Sequence, residues 1–594
     1  MELETIVGQY LASAPVDWTM AALAEIAAHD RYQASHGLME AAARVAARAT
    51  AAGAADVRIA LYPSDGCTHW WRFDAPRAWT PQIATLDIAS TGEGPDLRID
   101  HASMPYAIAA YSAAVEPATT FPIVDMAASP DREVAGALVL PPPGAEPGSD
   151  LFRSLTRRGA AGLLNDVPAR QDVDGGWCRG RIELPPGSRL FAFSATPAEM
   201  AQARRAAAAG CPCRVTVAID DTAAMLVVSA SLPGDPELPE IWVTAHLCHP
   251  APGANDNASG AAALLGLLKM LAHPRSGQRV GGPVRFLWGP EYLGVAATLH
   301  GVIANKRKSG LPDFILNLDM VGEDQALCAS PFCVEPPPAT LVSGFEILAE
   351  SVVEEVFRQT SITMGRWKSG PFLGFSDHAL FADPSVARPA VQFCHAPDRF
   401  NHSAADTIDK VSPLELRRTL AAAAVLVSLA RAGNQLDPRT VRAMLDGWSR
   451  RIANAPIAPG DADWTAGVRA YRARRMRAMA EAITGDGILS CREGETVDAA
   501  LASGSAVNRM WNGPMNIRAL LAALPNEIQS RALTLFEGRK LYHAVLLNYA
   551  IRVNGLRGAA DISLATSFAL NMRIGDQAAE LLWDILFHDS VRNG

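Results

Sequence analysis

Between about residues 215 and 430, short apolar runs alternate with longer stretches of helical periodicity. A run that stays hydrophobic at every position, rather than at every second one, is typical of a strand buried on both faces of a sheet. Strands of this kind that alternate with helices favour a parallel sheet with helices packed on both sides. We therefore predict an α/β fold with a mostly parallel central sheet flanked by helices. The runs read MLVVSASL, EIWVTAH, PVRFLWGPE, DFILNLDM and AVQFC.

Outside this region the pattern changes twice. Residues 119–169 combine a strand, a turn rich in proline and glycine, a helix and a second strand, and flanking prolines mark the limits of this segment. We interpret it as a small β-rich insert. After about residue 433, helical periodicity dominates. The predicted segments are 1–116, which belongs with the central sheet, the insert 117–184, the central region 185–433, and a mostly helical region 434–594.

Composition and charge narrow the class of protein. Hydrophobic residues make up 49% and charged residues 19% of the 594 residues, as in globular proteins with several cores. The formal net charge of −9 disfavours binding to phosphate backbones. The nine cysteines form no disulfide pattern, and no signal peptide or membrane span is visible. We therefore expect a cytoplasmic protein without membrane association, and the charge argues against nucleic acid as a partner.

Several side chains that can bind a metal stand at or just after the predicted strand ends. In an open parallel sheet, the carboxyl ends of the strands form a common ligand-binding edge. Taken singly, each has an ordinary structural interpretation; Asp256, for example, could cap the helix that follows it. Taken together, two histidines and two aspartates offer the nitrogen and oxygen ligands that suit zinc. The residues are His246, Asp256, Asp319 and His402, with Glu291 at the end of a further strand.

Five motifs occur in an order that resembles the zinc aminopeptidase family, peptidase family 28, with its bacterial leucyl aminopeptidases, glutamate carboxypeptidase and glutaminyl cyclases. The resemblance covers roughly residues 180–435, and the motifs read AHLCHPAPGANDNASG, PEYLG, NLDMVG, GFSDHALFAD and NHSAADT. It implies the zinc exopeptidase type of the phosphorylase/hydrolase-like fold for residues 185–433. The insert resembles a protease-associated domain. The chain as a whole is similar to a bacterial aminopeptidase-like branch with a winged-helix-like C-terminal region.

The resemblance also implies a role for each candidate residue. His246 and Asp319 would each bind one zinc ion, Asp256 would bridge to a second ion, and His402 would bind that second ion. Glu291 falls on the general base, which takes a proton from metal-bound water and passes it to the leaving amine. This assignment is chemically consistent, because zinc lowers the pKa of its water to about 7 and polarises the carbonyl group that is attacked.

Two positions depart from the family pattern. The residue after the general base is normally a second glutamate that binds the second ion, and here it is Tyr292. Cys248 stands where an aspartate normally follows the first histidine by two positions. We therefore expect one tightly bound zinc ion and a second that is weak or absent.

The pattern leaves four further residues as candidates for an additional ligand or for the substrate pocket. His249 could replace a missing ligand, and the sequence does not decide whether His246 or His249 is the first ligand. The further candidates are His249, Tyr292, Asp377 and His378.

Three functions fit these residues. The leading hypothesis is a zinc metallopeptidase that hydrolyses an amide, with an aminoacyl amide or a small peptide conjugate as substrate. The second is acyl transfer with a single zinc ion and no water, as in the glutaminyl cyclases. The third is a non-catalytic binding scaffold, although such a scaffold would not need Glu291. The oligomeric state stays open, a homo-oligomer included, as does the role of the C-terminal region, where a lid or an oligomer contact is favoured.

Overall fold

The computed structural model describes residues 2–90, 92, 95–273, 281–304, 310–360, 366–433, 436–493, 497, 505–535 and 539–588. Its centre is an eight-stranded sheet. The four middle strands run parallel to one another, whereas strands nearer both edges include antiparallel pairs. In spatial order the strands are Ala55–Tyr62, Met225–Leu232, Val284–Gly289, Ile241–His246, Phe314–Leu318, Ala390–His395, Phe332–Glu335 and Trp367–Ser369.

The strand Ile241–His246 shows why the middle of this sheet is stable. All six of its residues are buried, and alternate side chains enter different cores. Val243 and Ala245 pack into the core on one face, whereas Trp242 packs into the core on the other. This is the period of two expected for a strand that is covered on both sides. The predicted α/β fold with a mostly parallel, helix-flanked central sheet is therefore confirmed.

Helices cover one face of the sheet with a single large core. The helix Pro413–Arg431 is representative: its N-cap Ser412 accepts a hydrogen bond from the backbone of Glu415, and proline occupies its first turn. Its alanine-rich sequence allows close packing between neighbouring helices. The helices of this core are Leu3–Ser13, Val16–Ala27, His36–Ala51, Gly260–Ala272, Phe345–Thr360 and Pro413–Arg431, together with Pro438–Asn454 and Ala462–Asp486 of the C-terminal region.

The opposite face is covered by the helix Leu293–Ala304, the 3-10 helix Asp377–Ala382 and part of the C-terminal region. Among the described residues of that region, the strand Cys491–Glu493 pairs with Leu341–Ser343 of the central region, so a wing of its own stays a prediction. Residues 434 and 435, at the predicted boundary, lie outside the described residues. The C-terminal helices are Pro438–Asn454, Ala462–Asp486, Ile517–Ala523, Asn526–Leu535, Arg539–Arg552, Ala559–Ala569 and Asp576–Leu586.

The insert is larger than the predicted segment 117–184 and is less purely β. One of its sheets has four parallel strands and packs with the helices Ser149–Arg157 and Pro197–Ala208, and the other has four antiparallel strands. Both sheets share one core. The parallel strands are Ile123–Asp125, Leu138–Leu140, Gly162–Asn165 and Phe191–Ser194; the antiparallel strands are Thr80–Ile88, Leu97–Asp100, Val115–Phe121 and Cys213–Asp220.

The remaining strands form short two-stranded pairs. None of the described helices combines the length and the apolar character needed to cross a bilayer. The pairs are His69–Trp70 with Phe73–Asp74, and Arg170–Gln171 with Trp177–Cys178.

Candidate metal centre

His246 ends the strand Ile241–His246 and presents one ring nitrogen to a buried group of acids. Its Nδ1 lies 3.1 Å from the carbonyl oxygen of Cys248. Because a carbonyl can only accept, Nδ1 carries the proton and donates it. The lone pair of Nε2 therefore faces carboxylate oxygens of Asp256 and Asp319, each at 3.3 Å. A backbone acceptor on the far nitrogen is the usual device that orients a metal-binding histidine.

Asp256 lies between two groups of ligand-type side chains. Its Oδ1 is 3.3 Å from Nε2 of His246, whereas its Oδ2 is 3.1 Å from Nε2 of His249 and 3.2 Å from Nε2 of His402. The carboxylate therefore bridges the two groups. Within each group the ligand atoms lie within 4.8 Å of one another, and the groups are His246, Glu291 and Asp319, and His249, Asp256 and His402.

The turn that carries Asp256 is fixed from several sides. Asp406 accepts hydrogen bonds from the backbone N–H groups of Asn255, at 2.7 Å, and Asp256, at 3.0 Å. The side-chain amide of Asn257 donates to the carbonyl oxygens of His246, at 3.3 Å, and Leu318, at 3.0 Å. The turn is thus tied to the ends of two neighbouring parallel strands, which is the edge where the sequence predicts a site.

Segments outside the central sheet hold the two other histidines. The hydroxyl of Tyr106 is 3.2 Å from Nδ1 of His249, and the backbone N–H of Arg31 donates to the carbonyl oxygen of His249 at 2.9 Å. The backbone N–H of Arg181, at the end of the insert, donates to the carbonyl oxygen of His402 at 2.7 Å. The N-terminal part and the insert therefore position the second ligand group.

Left-handed backbone conformations cluster at this centre. His402 has a φ of 61°, Tyr292, next to Glu291, has a φ of 59°, and Met320, next to Asp319, has a φ of 57°. Residues with a side chain adopt this region at a cost of roughly 1–3 kcal/mol, and such strain is concentrated at functional sites. The surrounding fold therefore holds these side chains in positions that the isolated chain would avoid.

Glu291 belongs to the first ligand group and follows the strand Val284–Gly289. Its backbone N–H donates to the sulfur of Cys248 at 3.2 Å, which ties the segment to the loop after His246. Its side chain is 18% exposed, so it is the most accessible acid of the centre. Nη1 of Arg518, from the C-terminal region, donates to its Oε2 at 3.2 Å.

The electrostatics of the centre suit a cation. Burial lowers the pKa of His246, but the carboxylates of Asp319 and Asp256 outweigh burial and raise that pKa well above its usual value. Burial raises the pKa of Asp256, but the three facing imidazoles outweigh it and hold that pKa well below its usual value. The carboxylates therefore favour a positive charge between these side chains, which a bound divalent ion would supply in place of the protons on the imidazoles.

Two buried atoms of the centre face other ligand atoms at 3.1 and 3.3 Å without a hydrogen bond of normal geometry. Nε2 of His249 and Oδ1 of Asp319 have no hydrogen-bond partner among the described residues, although nearly all buried polar atoms in proteins have one. Both atoms belong to the two ligand groups. Imidazole nitrogen and carboxylate oxygen are the ligands that zinc takes in proteins, so the residues present fit this ion.

The remaining candidates from the sequence lie around the centre rather than in it. The hydroxyl of Tyr292 donates to the carbonyl oxygen of Gly374 at 3.1 Å, and its backbone N–H donates to Asp377 at 2.5 Å. Burial raises the pKa of Asp377 to about 7, with His246 acting in the opposite direction. Nε2 of His378 pairs with Glu335 at 2.7 Å, outside both ligand groups.

Sequence reasoning missed three residues that contact the centre. Tyr106 and Arg31 belong to segments without a recognisable motif, and their approach to His249 depends on how the insert and the N-terminal helices fold back. Arg518 comes from the distant C-terminal region. No local signal marks any of the three, because each acts only through the tertiary fold.

Comparisons with known proteins address the same segment. Residues 227–427 match the family model of Peptidase family M28. The fold is similar to that of BSAP, a zinc aminopeptidase from Bacillus subtilis, with 16% identity and a TM-score of 0.51 over 71% of this chain and 97% of that one. A search of the curated proteins finds none that matches the sequence.

Two further solved structures share the fold. A protein from Clostridium acetobutylicum is 15% identical with a TM-score of 0.52, and the match covers 83% of this chain and all 100% of that one. A Peptidase M28 precursor from Shewanella amazonensis is 14% identical with a TM-score of 0.50 over 73% of this chain and 97% of that one. At these identities the similarity shows a common fold.

The segment that matches the family model also contains both ligand groups and Glu291. The sequence match and the convergence of the side chains thus fall on the same part of the chain. Residues 227–427 therefore combine a match to the model of Peptidase family M28 with the candidate metal centre.

Proposed function

We propose that the protein is a zinc-dependent amide hydrolase that removes an N-terminal aminoacyl group from a small peptide or a peptide-like conjugate. The observation that carries the proposal is the bridging position of Asp256 between two ligand groups, with Glu291 beside one of them. The Bacillus subtilis protein of similar fold is a zinc aminopeptidase, which supports the same type of reaction here.

The side chains present would hold two ions. One ion would take His246, Asp319 and Oδ1 of Asp256, and the other would take His249, His402 and Oδ2 of Asp256. Zinc in such a site polarises a carbonyl group and makes water acidic enough to ionise near neutral pH.

His249 removes the reason to expect a weak or absent second ion. That expectation depends on Tyr292, which replaces a carboxylate ligand and leaves only Asp256 and His402. In the structure Nε2 of His249 lies 3.1 Å from Oδ2 of Asp256, on the side of His402. Three protein ligands are the usual number at a catalytic zinc site, so we propose two ions of comparable occupancy.

Glu291 is placed to move the proton. It lies within the first ligand group and is accessible from the cleft, so its carboxylate can take a proton from the attacking water. After the C–N bond breaks, the same carboxylate can give this proton to the leaving amine. The arrangement needs no second acid, and no covalent intermediate with the protein.

Glu291→Gln tests the proposal directly. We expect turnover of aminoacyl amides and dipeptides to fall roughly 10²- to 10⁴-fold, the usual contribution of a general base, with the zinc content unchanged. Glu237→Gln, at an exposed position between two strands, is the matched control and should keep wild-type turnover.

Mass spectrometry of the products separates the reactions. Hydrolysis adds water across the amide, whereas a cyclase reaction expels ammonia or water from the same substrate. A zinc-loaded wild-type protein that leaves a broad panel of aminoacyl amides and dipeptides intact would contradict the proposal and favour a binding scaffold.

A further inference from the structure

Arg518 brings a positive charge from the C-terminal region to the edge of the metal centre. It lies in the first turn of the helix Ile517–Ala523, whose start is fixed by the side chain of Asn516, which accepts a hydrogen bond from the backbone of Ala519 at 3.0 Å. Its guanidinium carbon lies 4.8 Å from the ring centroid of Tyr292. Its side chain is 53% exposed and lines a cavity together with Tyr292.

The contact between Arg518 and Glu291 is unexpected for a general base. Nη1 of Arg518 donates to Oε2 of Glu291 at 3.2 Å, so the guanidinium occupies one oxygen of this carboxylate. Among the described contacts this is the hydrogen bond that the structure records for the guanidinium, which carries five N–H donors. The other charge that acts on Arg518 is Glu183, from the insert. The remaining donors are available to a ligand that enters the cleft.

The surroundings of Arg518 favour a planar anion as that ligand. The guanidinium stacks on Tyr292, which in turn stacks against Phe73 with ring centroids 6.3 Å apart. A guanidinium over an aromatic ring can still pair with a carboxylate through two parallel hydrogen bonds. A cavity next to it is lined mostly by apolar side chains, among them Phe73, Tyr292, Met515 and Ile517.

The position also sets the distance between this anion and the bond that is cleaved. Glu291 shares the first ligand group with His246 and Asp319, and Arg518 contacts Glu291 on the cleft side. One amino acid residue advances a chain by about 3.8 Å, so a carboxylate one residue beyond an amide held beside Glu291 would lie near the side of Glu291 that Arg518 contacts. A carboxylate several residues beyond the scissile amide would lie past the guanidinium of Arg518.

We propose that Arg518 binds a free carboxylate on the leaving group, so that the preferred substrates are dipeptides and other aminoacyl conjugates of an amino acid. This inference rests on the proposed hydrolytic function and names its substrate class. The carboxylate of the substrate replaces Glu291 as the partner of Arg518.

Turnover of two matched substrates tests this specificity. Wild-type protein should cleave alanyl-alanine with a higher kcat/KM than alanyl-alanine amide, by about 10- to 100-fold, the effect of a charge-assisted hydrogen bond. Arg518→Gln should bring this ratio close to one, and Arg518→Lys, which keeps the charge and loses the planar fork, should give an intermediate ratio. Arg531→Gln, on an exposed position of the neighbouring helix, is the control and should keep the wild-type ratio.

A binding measurement separates this inference from the proposed function. The probes are alanyl-alanine with a reduced CH2–NH bond in place of the amide and its C-terminal amide, titrated calorimetrically into zinc-loaded protein. Tighter binding of the acid that is lost in Arg518→Gln supports the carboxylate site even if no substrate is cleaved. Equal binding of acid and amide, or a preference that survives in Arg518→Gln, overturns it even if hydrolysis is observed.

Discussion

At the level of single residues, the centre is built on three imidazole rings, and each presents its Nε2 to a carboxylate. His246 and His249 hold their Nδ1 atoms near backbone carbonyl oxygens, at 3.1 Å from Cys248 and 3.0 Å from Pro250. This choice of nitrogen decides which lone pair is available for a metal. The short loop between the two histidines therefore aims both rings at opposite oxygens of Asp256.

His249→Ala should remove one metal ion and leave the other. His249 is one of three ligands in its group, and the first group does not use it, so zinc content should fall from two equivalents to one. Elemental analysis after dialysis against zinc at a fixed free concentration measures this change.

His273→Ala, at an exposed position, is the control and should retain two equivalents. A His249→Ala protein with the same zinc content as wild type would show that the second group does not bind a metal.

Among single residues, the sequence predicts those that stand in motifs. It does not predict residues that reach the centre only through the tertiary fold. His246, Asp256, Asp319 and His402 are recognisable because they stand at strand ends or in motifs. The sequence does not decide the role of His249. Tyr292 in place of a carboxylate shows that a metal ligand is missing, but it does not show which side chain replaces that ligand. Only the geometry brings its Nε2 to Asp256.

At the scale of elements, the carboxyl ends of parallel strands account for the position of the centre. The strand Ile241–His246 pairs in parallel with Val284–Gly289 and Phe314–Leu318, so the residues that follow all three strands meet at one edge. The apolar runs make this part of the fold predictable. The antiparallel pairs toward the sheet edges are not predictable, because a strand carries no local sign of its partner's direction.

The insert shows where element prediction fails. The predicted limits 117 and 184 enclose only part of it, since the strand Val115–Phe121 pairs with Cys213–Asp220 and Gly162–Asn165 pairs with Phe191–Ser194. Proline-rich turns mark both limits in the sequence but lie inside a larger unit. Strand pairing between distant segments, rather than turn composition, sets the true extent.

The contact between Arg509 and Asp383 docks the C-terminal region on the central region. The two side chains form two hydrogen bonds, at 3.0 Å and 2.7 Å, and are 14% and 4% exposed. Arg509→Gln leaves the buried carboxylate without its charged partner, so the free energy of unfolding should fall by about 3–5 kcal/mol. Urea denaturation measures this loss.

An exposed ion pair gives the control for this prediction. Arg573 and Asp461 pair at 3.0 Å but are 63% and 54% exposed, so Arg573→Gln should cost about 1 kcal/mol or less. Equal losses in the two variants would show that the Arg509 contact does not anchor the C-terminal region.

At the scale of the whole molecule, three large hydrophobic cores meet around the cleft that contains the metal centre. The core on the second face of the sheet contains residues of both the central and the C-terminal regions, so these regions fold against each other rather than as separate bodies. The insert has its own core and reaches the centre through the backbone of Arg181. Each part therefore contributes a residue at the cleft, as His402, Tyr106 and Arg518 show.

A buried carboxyl group between two regions should make the stability of the whole molecule depend on pH. Glu346, on the helix Phe345–Thr360, contacts Arg475, on the helix Ala462–Asp486, with both oxygens 2.8 Å from Nη2. Burial raises the pKa of Glu346 to about 7, although Arg475 acts to lower it and Glu350 adds to the rise. The folded protein therefore holds this proton more tightly than the unfolded chain.

The sign of the effect follows from the raised pKa. The stabilising contribution is fully present below the unfolded value of 4.5 and is lost as the pH rises through about 7. Since one pKa unit corresponds to about 1.4 kcal/mol, the free energy of unfolding of wild type should fall by about 3 kcal/mol relative to Glu346→Gln between pH 4.5 and 8. Urea denaturation across this range measures the difference. Glu354→Gln, 56% exposed on the same helix, should follow wild type, and a constant difference between wild type and Glu346→Gln would refute the assignment.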